Sequence, residues 1–313
     1  MPSDSLLSPA YLRQVQLLIQ LMPLVFRESC FALKGGTAIN LFVRDMPRLS
    51  VDLDLVYLPH EERATALSRI KEALGRIASD LRRGVTDLVV HEMYDEKTDA
   101  LRLIAERKGT RVKIELSPVL RGTVYEPASM MIRPAAEERF GFVEIPVVSL
   151  ADLFGGKICA ALDRQHPRDL FDVKLLLETE GLNDQIRKAV LVYVLSHPRP
   201  ISELLAPRFK EIGDVYRNEF SGMTTEPVVL QDLLDARARI VKLLHGGITG
   251  NEKEFLMSFK RGDPNWNLMD LPGIEQLPAL KWKLINLKKM DPRKHRAALE
   301  QLSRTLQEME GAS

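Results

Sequence analysis

Residues 31–55 read FALKGGTAINLFVRDMPRLSVDLDL, and the prediction of the fold rests on this stretch. A short apolar run ends at Gly35 and Gly36, and a helical segment follows until Pro47 stops it. Residues 51–58 then alternate between apolar and polar side chains, as a half-buried strand does. Helices surround this stretch and further strands follow it, so we predict an α+β fold for the first part of the chain.

Two carboxylates on the alternating strand are the main candidates for chemistry. Side chains two apart in a strand share a face, so Asp52 and Asp54 point the same way. Two neighbouring carboxylates repel each other, and a divalent cation such as Mg²⁺ or Mn²⁺ removes the repulsion. Two-metal chemistry activates an attacking hydroxyl and stabilises a leaving pyrophosphate. The pair therefore predicts a metal site.

The glycines complete this hypothesis. Gly35 and Gly36 let backbone N–H groups approach triphosphate oxygens closely, and the helix that begins at Thr37 adds positive potential. The alternative is an ordinary glycine turn beside an exposed strand face. Each motif alone is weak, but their order and the short helix between them favour a nucleotide site.

A third carboxylate is expected on a neighbouring strand. Residues 101–105 and 111–118 predict a hairpin with its turn at Lys108 and Gly109. Glu115 falls on the polar face of the second strand and is our candidate, with a solvated strand face as the alternative.

Ser149 begins a mainly helical second part. It occupies an N-cap position with Asp152 three residues later, and Pro167 suits the first turn of another helix. We therefore predict two domains, residues 1–148 and 149–313.

Three side chains of the second domain are further candidates. Lys157 lies among apolar and small residues, where an ammonium could reach a phosphate. Asp169 and Asp172 are three apart and share a helix face. The alternative is an ion network on the helix surface, in which Arg168 pairs with Asp172.

Composition excludes several classes of protein. The chain has 313 residues, 45% of them apolar, and a formal net charge of +1, so wholesale disorder and a globally basic nucleic-acid binder are both disfavoured. Two cysteines without zinc-type spacing are expected to be reduced. The N-terminus shows no signal-peptide pattern and no apolar run long enough to span a bilayer, so we expect a cytoplasmic protein without a membrane partner.

The motifs together resemble a known family. The segments FALKGGTA (31–38), RLSVDLDL (48–55) and RDLFD (168–172), Lys157, and LPALKWKLINL (277–287) resemble the AbiEii family. These are nucleotidyltransferase-like toxins of bacterial type IV toxin–antitoxin systems, similar to the MenT toxins and part of the polymerase-β-like nucleotidyltransferase superfamily. The resemblance implies a catalytic domain with a mixed sheet and flanking helices, followed by a mainly helical domain.

The resemblance also implies a role for each motif residue. The implied nucleotide-binding residues are Gly35, Gly36, Thr37, Arg48, Ser50 and Lys157. Asp52 and Asp54 are implied to bind Mg²⁺, and Glu115 is our candidate for a third metal ligand. The implied catalytic residues are Asp52, Asp54 and Lys157, with Asp169 or Asp172 as the acid of a fourth motif.

The family implies a nucleoside triphosphate as substrate, the tRNA 3′ end as acceptor and a cognate antitoxin as partner. The segment Lys281–Arg296 supports an RNA acceptor, since seven cations there face one acidic residue, Asp291. Trp266 and Trp282 are candidate stacking surfaces, with core packing as the alternative. Two other functions stay open: transfer to a protein side chain, and GTP binding without turnover.

Overall fold

A computed structural model describes residues 8–93, 101–117 and 119–311. The chain forms two compact units by its internal contacts. The first comprises Met1–Ser149 and Gly222–Pro227, and the second comprises Leu150–Ser221 and Val228–Ser313.

The first unit contains a mixed sheet with helices. Its elements are α1 (Pro9–Val25), β1 (Phe31–Lys34), α2 (Gly35–Ala38), a π-helical segment (Ile39–Val43), β2 (Leu53–Tyr57), α3 (Arg63–Gly84), β3 (Val89–Met93), β4 (Leu101–Arg107), β5 (Thr110–Leu116), β6 (Ala128–Met131), α4 (Pro134–Phe140) and β7 (Glu144–Val147). The strand order within the described residues is β3-β4-β5-β2-β1-β7-β6. β2 runs parallel to β5 and β1 runs parallel to β7, while the other pairs are antiparallel. The predicted fold class is confirmed.

The alternation of β4 and β5 separates an apolar face from a polar one. α1 packs on β5, and α3 packs on β3 and β4. Leu103 and Ile114 are fully buried, whereas Arg102, Lys113 and Glu115 alternate with the buried positions and are half-buried. Every second side chain of these strands is therefore buried in the core, and the side chains between them form a polar row on the opposite face.

Several predicted elements differ from those observed. β2 begins at Leu53, so Asp52 lies just before the strand. The hairpin of β4 and β5 is present, although Pro118 lies outside the described residues. β6 and β7 were not predicted, because β6 has largely exposed side chains without alternation and β7 contains Pro146.

The described residues of the second unit form helices joined by loops. Its α-helices are α5 (Leu150–Arg164), α6 (Pro167–Glu178), α7 (Asp184–Ser196), α8 (Ile201–Leu205), α9 (Gly213–Glu219), α10 (Leu230–Gly247), α11 (Gly250–Arg261), α12 (Pro278–Lys288) and α13 (Pro292–Gly311). Two 3₁₀ segments, Trp266–Leu268 and Ile274–Gln276, lie between α11 and α12. In the described part of the chain, no helix is long and apolar enough to cross a membrane.

The division of the chain into domains of residues 1–148 and 149–313 stays a prediction. The compact units place Ser149 and Gly222–Pro227 in the first unit. The segment Gly222–Pro227 comes after several helices of the second unit in the sequence, yet it belongs to the first unit, which also contains Gly35 and Gly36.

Candidate functional site

Gly35 is required at its position for two reasons. Its φ is +80°, a conformation that favours glycine. A Cβ atom here would also overlap the carboxylate of Asp54. The turn after β1 therefore brings backbone and carboxylate together with no room for a side chain.

Gly36 lies beneath two polar side chains. A Cβ atom at Gly36 would lie 2.7 Å from Arg48 Nη2 and 2.7 Å from Ser50 Oγ. Arg48 is buried, and its Nη1 donates to the carbonyl of Leu49 at 2.9 Å. The structure thus gathers four of the predicted nucleotide-binding residues, the two glycines, Arg48 and Ser50, around one turn.

Thr37 and Asn40 fix this turn from within the helical segment. The hydroxyl of Thr37 donates to the carbonyl of Asp52 at 2.6 Å and lies 3.2 Å from Ser50 Oγ. Asn40 Nδ2 donates to the carbonyl of Gly36 at 2.8 Å. Thr37 is fully buried, so the geometry favours a positioning role, and its predicted contact with phosphate stays a prediction.

Asn40 was missed by the sequence analysis. Its Oδ1 accepts a hydrogen bond from the backbone N–H of Arg48 at 3.2 Å, and the side chain is fully buried. A polar residue on the otherwise apolar face of a short helix was the available signal. Asn40 therefore links the glycine turn to the loop of Arg48.

The segment Gly222–Pro227 supports the same loop from outside. The N–H of Leu49 donates to the carbonyl of Met223 at 2.8 Å, and the N–H of Thr225 donates to the carbonyl of Pro47 at 2.9 Å. Arg48 forms an isolated antiparallel bridge with Thr224. We call this segment the strap, because it pairs with the backbone on both sides of Arg48.

Asp54 stands in a polar row across the sheet. It is in register with Lys34 of β1 and with Glu115 of β5, and Glu115 is in register with Arg102 of β4. Asp52, one position before the strand, has a half-exposed side chain. The structure therefore brings the strand of Glu115 next to that of Asp54, as predicted.

Lys113 is the cation among these acids. Its ammonium lies 2.7 Å from Glu115 Oε2 and 3.6 Å from Asp52 Oδ2. Burial alone would lower the pKa of Lys113, but the hydrogen bond to Glu115 and the charges of Asp52, Glu115 and Asp54 raise it. Lys113 lies on the same polar face of β5 as Glu115 and was not among the predicted site residues.

Glu115 is held by two cations. Arg102 Nη2 lies 2.8 Å from Glu115 Oε1, opposite the contact with Lys113. Burial raises the pKa of Glu115, but the hydrogen bonds and charges of Lys113 and Arg102 outweigh burial and lower it. The carboxylate is thus ionised and paired.

The donor set fits a divalent cation only in part. Asp52 and Asp54 offer hard oxygen ligands, which suit Mg²⁺. Glu115 would have to give up Lys113 or Arg102 to join them. Among the described residues, no group of three or more His, Cys, Asp or Glu side chains could hold a metal. The third ligand therefore stays a prediction.

A buried ion cluster joins α5 and α6 in the second unit. Lys157 Nζ lies 3.0 Å from Asp169 Oδ1 and 3.0 Å from Asp172 Oδ2, and Arg164 Nη2 donates to Asp169 Oδ1 at 2.9 Å. The side chains of Asp169 and Asp172 are 1% and 0% exposed. They are therefore not the solvated surface network that was the alternative, although Arg168 itself is exposed.

The cations of this cluster hold Asp169 ionised. Burial alone would raise the pKa of Asp169, but the charge of Lys157 and the hydrogen bond and charge of Arg164 bring it well below its usual range. The ammonium of Lys157 is accordingly engaged by two carboxylates, and its predicted contact with triphosphate stays a prediction.

The basic segment Lys281–Arg296 is largely exposed. It covers most of α12 and the start of α13. Six of its seven cations are exposed, and Lys283 is half-buried and donates to the carbonyl of His197. Asp291 Oδ1 accepts from the backbone N–H groups of Arg293 and Lys294. The carboxylate of Asp291, the single acid of the segment, therefore accepts hydrogen bonds from the N-terminus of α13.

The two tryptophans differ. Trp266 packs against Phe255 and Phe259, with ring centroids 5.7 Å and 6.0 Å apart. Trp282 is 47% exposed and lies between Lys281 and Lys283. Trp266 is thus a packing residue, and only Trp282 has the exposure that base stacking requires.

Comparisons with known proteins identify the family and the fold. A family model described as "Nucleotidyl transferase AbiEii toxin, Type IV TA system" matches residues 16–284. Among solved structures, the chain is similar to MenT4, a nucleotidyltransferase toxin from Mycobacterium tuberculosis H37Rv, with a TM-score of 0.57 and 16% sequence identity over 97% of each chain. At this identity the likeness shows the fold alone. No curated protein matches the chain.

Proposed function

The chain belongs to the AbiEii family of nucleotidyltransferase toxins of type IV toxin–antitoxin systems. On that premise, we propose that it transfers a nucleoside monophosphate from a nucleoside triphosphate to the 3′ end of an RNA. The expected acceptor is tRNA. The observation that carries the proposal is the turn at Gly35 and Gly36. There the carboxylate of Asp54 meets the glycine backbone, and Arg48 and Ser50 cover the second glycine.

Each group of the turn has a proposed task. Gly36, Arg48 and Ser50 hold triphosphate oxygens through backbone N–H, guanidinium and hydroxyl groups. Asp52 and Asp54 would hold Mg²⁺ or Mn²⁺, which would activate the attacking hydroxyl and neutralise charge on the leaving pyrophosphate. The hydroxyl oxygen bonds to the α-phosphorus, the bond from that phosphorus to the α,β-bridging oxygen breaks, pyrophosphate leaves with that electron pair, and the hydroxyl proton goes to solvent.

The buried cluster of the second unit has a less direct proposed role. Asp169 is a poor proton acceptor, because its pKa is lowered by Lys157 and Arg164. We therefore propose Asp169 and Asp172 as positioning residues for Lys157. The ammonium of Lys157 has three donors, and carboxylates engage two of them, so contact with the triphosphate would use the third donor or replace one carboxylate.

Lysine and arginine side chains on α12 and α13 support the choice of RNA as acceptor. Phosphates bind exposed cations by releasing counterions, and the segment Lys281–Arg296 supplies six exposed cations. A cognate antitoxin is the partner that the family implies. Cytoplasmic location stays a prediction.

The test is to incubate purified protein with Mg²⁺, total RNA and each of the four α-labelled triphosphates in turn. We expect label in RNA, and none with the double variant Asp52→Asn, Asp54→Asn. Label in protein instead of RNA would favour transfer to a protein side chain. Nucleotide binding with no label in either would favour a module without turnover, and both results would contradict the proposal.

A further inference from the structure

The second unit contains an open cavity at the C-terminal end of α8. Its volume is about 470 Å³, within the roughly 300–1,000 Å³ of ligand sites. Its lining includes Arg199, Glu203, Arg208, Phe209 and Lys210. Three cations, one carboxylate and an aromatic ring suit an anionic ligand with a flat apolar part.

Phe209 presents a supported aromatic surface to this cavity. The ring is 47% exposed. The guanidinium carbon of Arg237 lies 4.3 Å from the ring centroid, in a cation–π contact that holds the ring. An exposed aromatic ring fixed in this way offers a surface on which a base can stack.

Gln165 holds the loop that carries this ring. It is buried and has a φ of +54°, which is uncommon for a residue other than glycine. Its Nε2 donates to the carbonyl of Arg208 at 2.9 Å, and its Oε1 accepts from the N–H of Lys210 at 3.0 Å and from Arg237 Nη1 at 2.9 Å. The loop is therefore ordered in advance, which lowers the entropic cost of binding.

Two of the lining cations remain available to an anion. Arg199 is paired with Asp163 at 2.8 Å and with Glu203 at 3.2 Å. The ammonium of Lys210 donates to the backbone carbonyl of Asp163 at 2.9 Å, not to a carboxylate. Within the described ranges, no side chain is paired with the guanidinium of Arg208. These two cations, which form no ion pair among the described residues, thus lie beside Phe209.

We propose that this cavity is a second nucleotide site, with the base stacked on Phe209 and the phosphate bound by Arg208 and Lys210. Neither the family membership nor the transfer reaction assigns a ligand to it. A nucleotide within single-stranded RNA and a free nucleotide share this chemistry, and the experiment below distinguishes the two sources.

The test uses the full-length protein in EDTA and fluorescein-labelled single-stranded pentaadenylate, with AMP as competitor, followed by fluorescence anisotropy. Phe209→Ala should weaken binding by about tenfold or more, since stacking is lost, and Phe209→Trp should retain it. Arg208→Gln should also weaken binding and flatten its salt dependence. Matched controls are Phe142→Ala and Arg239→Gln, which change another exposed phenylalanine and an exposed arginine elsewhere.

Either source of nucleotide supports the proposal if binding depends on Phe209. Competition by AMP would identify a free nucleotide as sufficient, and binding of pentaadenylate alone would identify a strand. Wild-type affinity in both Phe209→Ala and Arg208→Gln would overturn the proposal, as would no binding of either probe. A loss in Ser50→Ala but not in Phe209→Ala would place the probe at the glycine turn and also overturn it. Because no transfer is measured, the result is independent of the proposed reaction.

Discussion

Lys157 has a structural task that must be separated from any chemical one. Its ammonium is bonded to Asp169 and Asp172, both buried, so removing it leaves two carboxylates with one cation fewer. Breaking a buried pair in this way costs about 3–5 kcal/mol. A simple loss of activity in a Lys157 variant would therefore not show what the side chain does.

A charge-balanced pair of variants makes the separation. Lys157→Met with Asp172→Asn removes one charge of each sign, and we expect its unfolding free energy to recover most of the loss seen in Lys157→Met alone. If Lys157 acts on the triphosphate, the double variant should still transfer nucleotide about 10²-fold more slowly than Asp172→Asn alone. Equal transfer rates in these two variants, measured with labelled triphosphate, would show that Lys157 is only structural.

Asp169 gives a prediction about pH. Its folded pKa lies below the ordinary value of 3.8, so its contribution to stability is present above pH 3.8 and is lost as pH falls through the folded pKa. Asp169→Asn should lower the unfolding free energy by about 3 kcal/mol at neutral pH. Urea unfolding at pH 7, 5 and 3.5 should show the same difference at the first two values and a smaller one at the third.

Asp214→Asn is the control for this series, because Asp214 pairs with Arg217 at the surface and is 86% exposed in its side chain. It should change stability by less than about 1 kcal/mol at every pH. A difference for Asp169→Asn that does not change with pH would mean that Asp169 contributes by packing and not by charge.

At the scale of elements, the strap is the feature with the clearest consequence. Thr225 donates both its N–H and its hydroxyl to the carbonyl of Pro47, next to Arg48; Thr225→Pro removes both donors. Thr225→Val removes only the hydroxyl and is the control. Loss of one hydrogen bond costs about 1 kcal/mol, so we expect triphosphate affinity, measured by calorimetry, to be about fivefold lower in Thr225→Pro than in Thr225→Val. Unchanged affinity in a folded Thr225→Pro variant would show that the strap does not position the loop.

The elements differ in how well sequence predicted them, and the reasons are physical. β2, the hairpin of β4 and β5, and α5 carry their own periodicity, so their side chains alone identify them. β6 and β7 do not, since their place in the sheet is set by pairing with each other and with β1. A local sequence pattern does not indicate which distant strand a segment pairs with.

The same distinction holds within the site. Gly35, Gly36 and Asp54 were predicted together because turn chemistry and strand alternation are local signals. The strap was not predicted, because Thr225 and Pro47 are 178 residues apart. The ion pairs of Lys113 were missed for a related reason: its position on the strand was known, but its partners depend on which strands are neighbours.

At the scale of the whole molecule, positive charge is concentrated in the segment Lys281–Arg296, although the net charge of the chain is only +1. Charge reversal at Lys288, Lys289 and Lys294, all exposed, should weaken RNA binding and flatten its salt dependence, by up to about 2 in the logarithmic slope. Nucleotide affinity at the glycine turn should not change.

The control for this change is reversal of three other exposed cations, Lys108, Arg239 and Lys242. RNA affinity is to be measured for both triple variants and the wild type at several salt concentrations. Equal slopes in all three proteins would show that the basic segment is a solvated helix surface, and RNA would then have to bind elsewhere.

We propose that nucleotide transfer depends on the carboxylates of Asp52 and Asp54. The most direct measurement is the rate of incorporation of α-labelled nucleotide into RNA by Asp54→Asn and Asp52→Asn, compared with the wild type. Asp45→Asn, which changes a half-exposed carboxylate of the same unit paired with Arg133, is the control. We predict a loss of 10²-fold or more, on the scale of removing a group that stabilises charge in the transition state, with melting temperatures near that of the wild type and unchanged activity in Asp45→Asn. Wild-type rates in both Asp54→Asn and Asp52→Asn would show that these carboxylates take no part in nucleotide transfer.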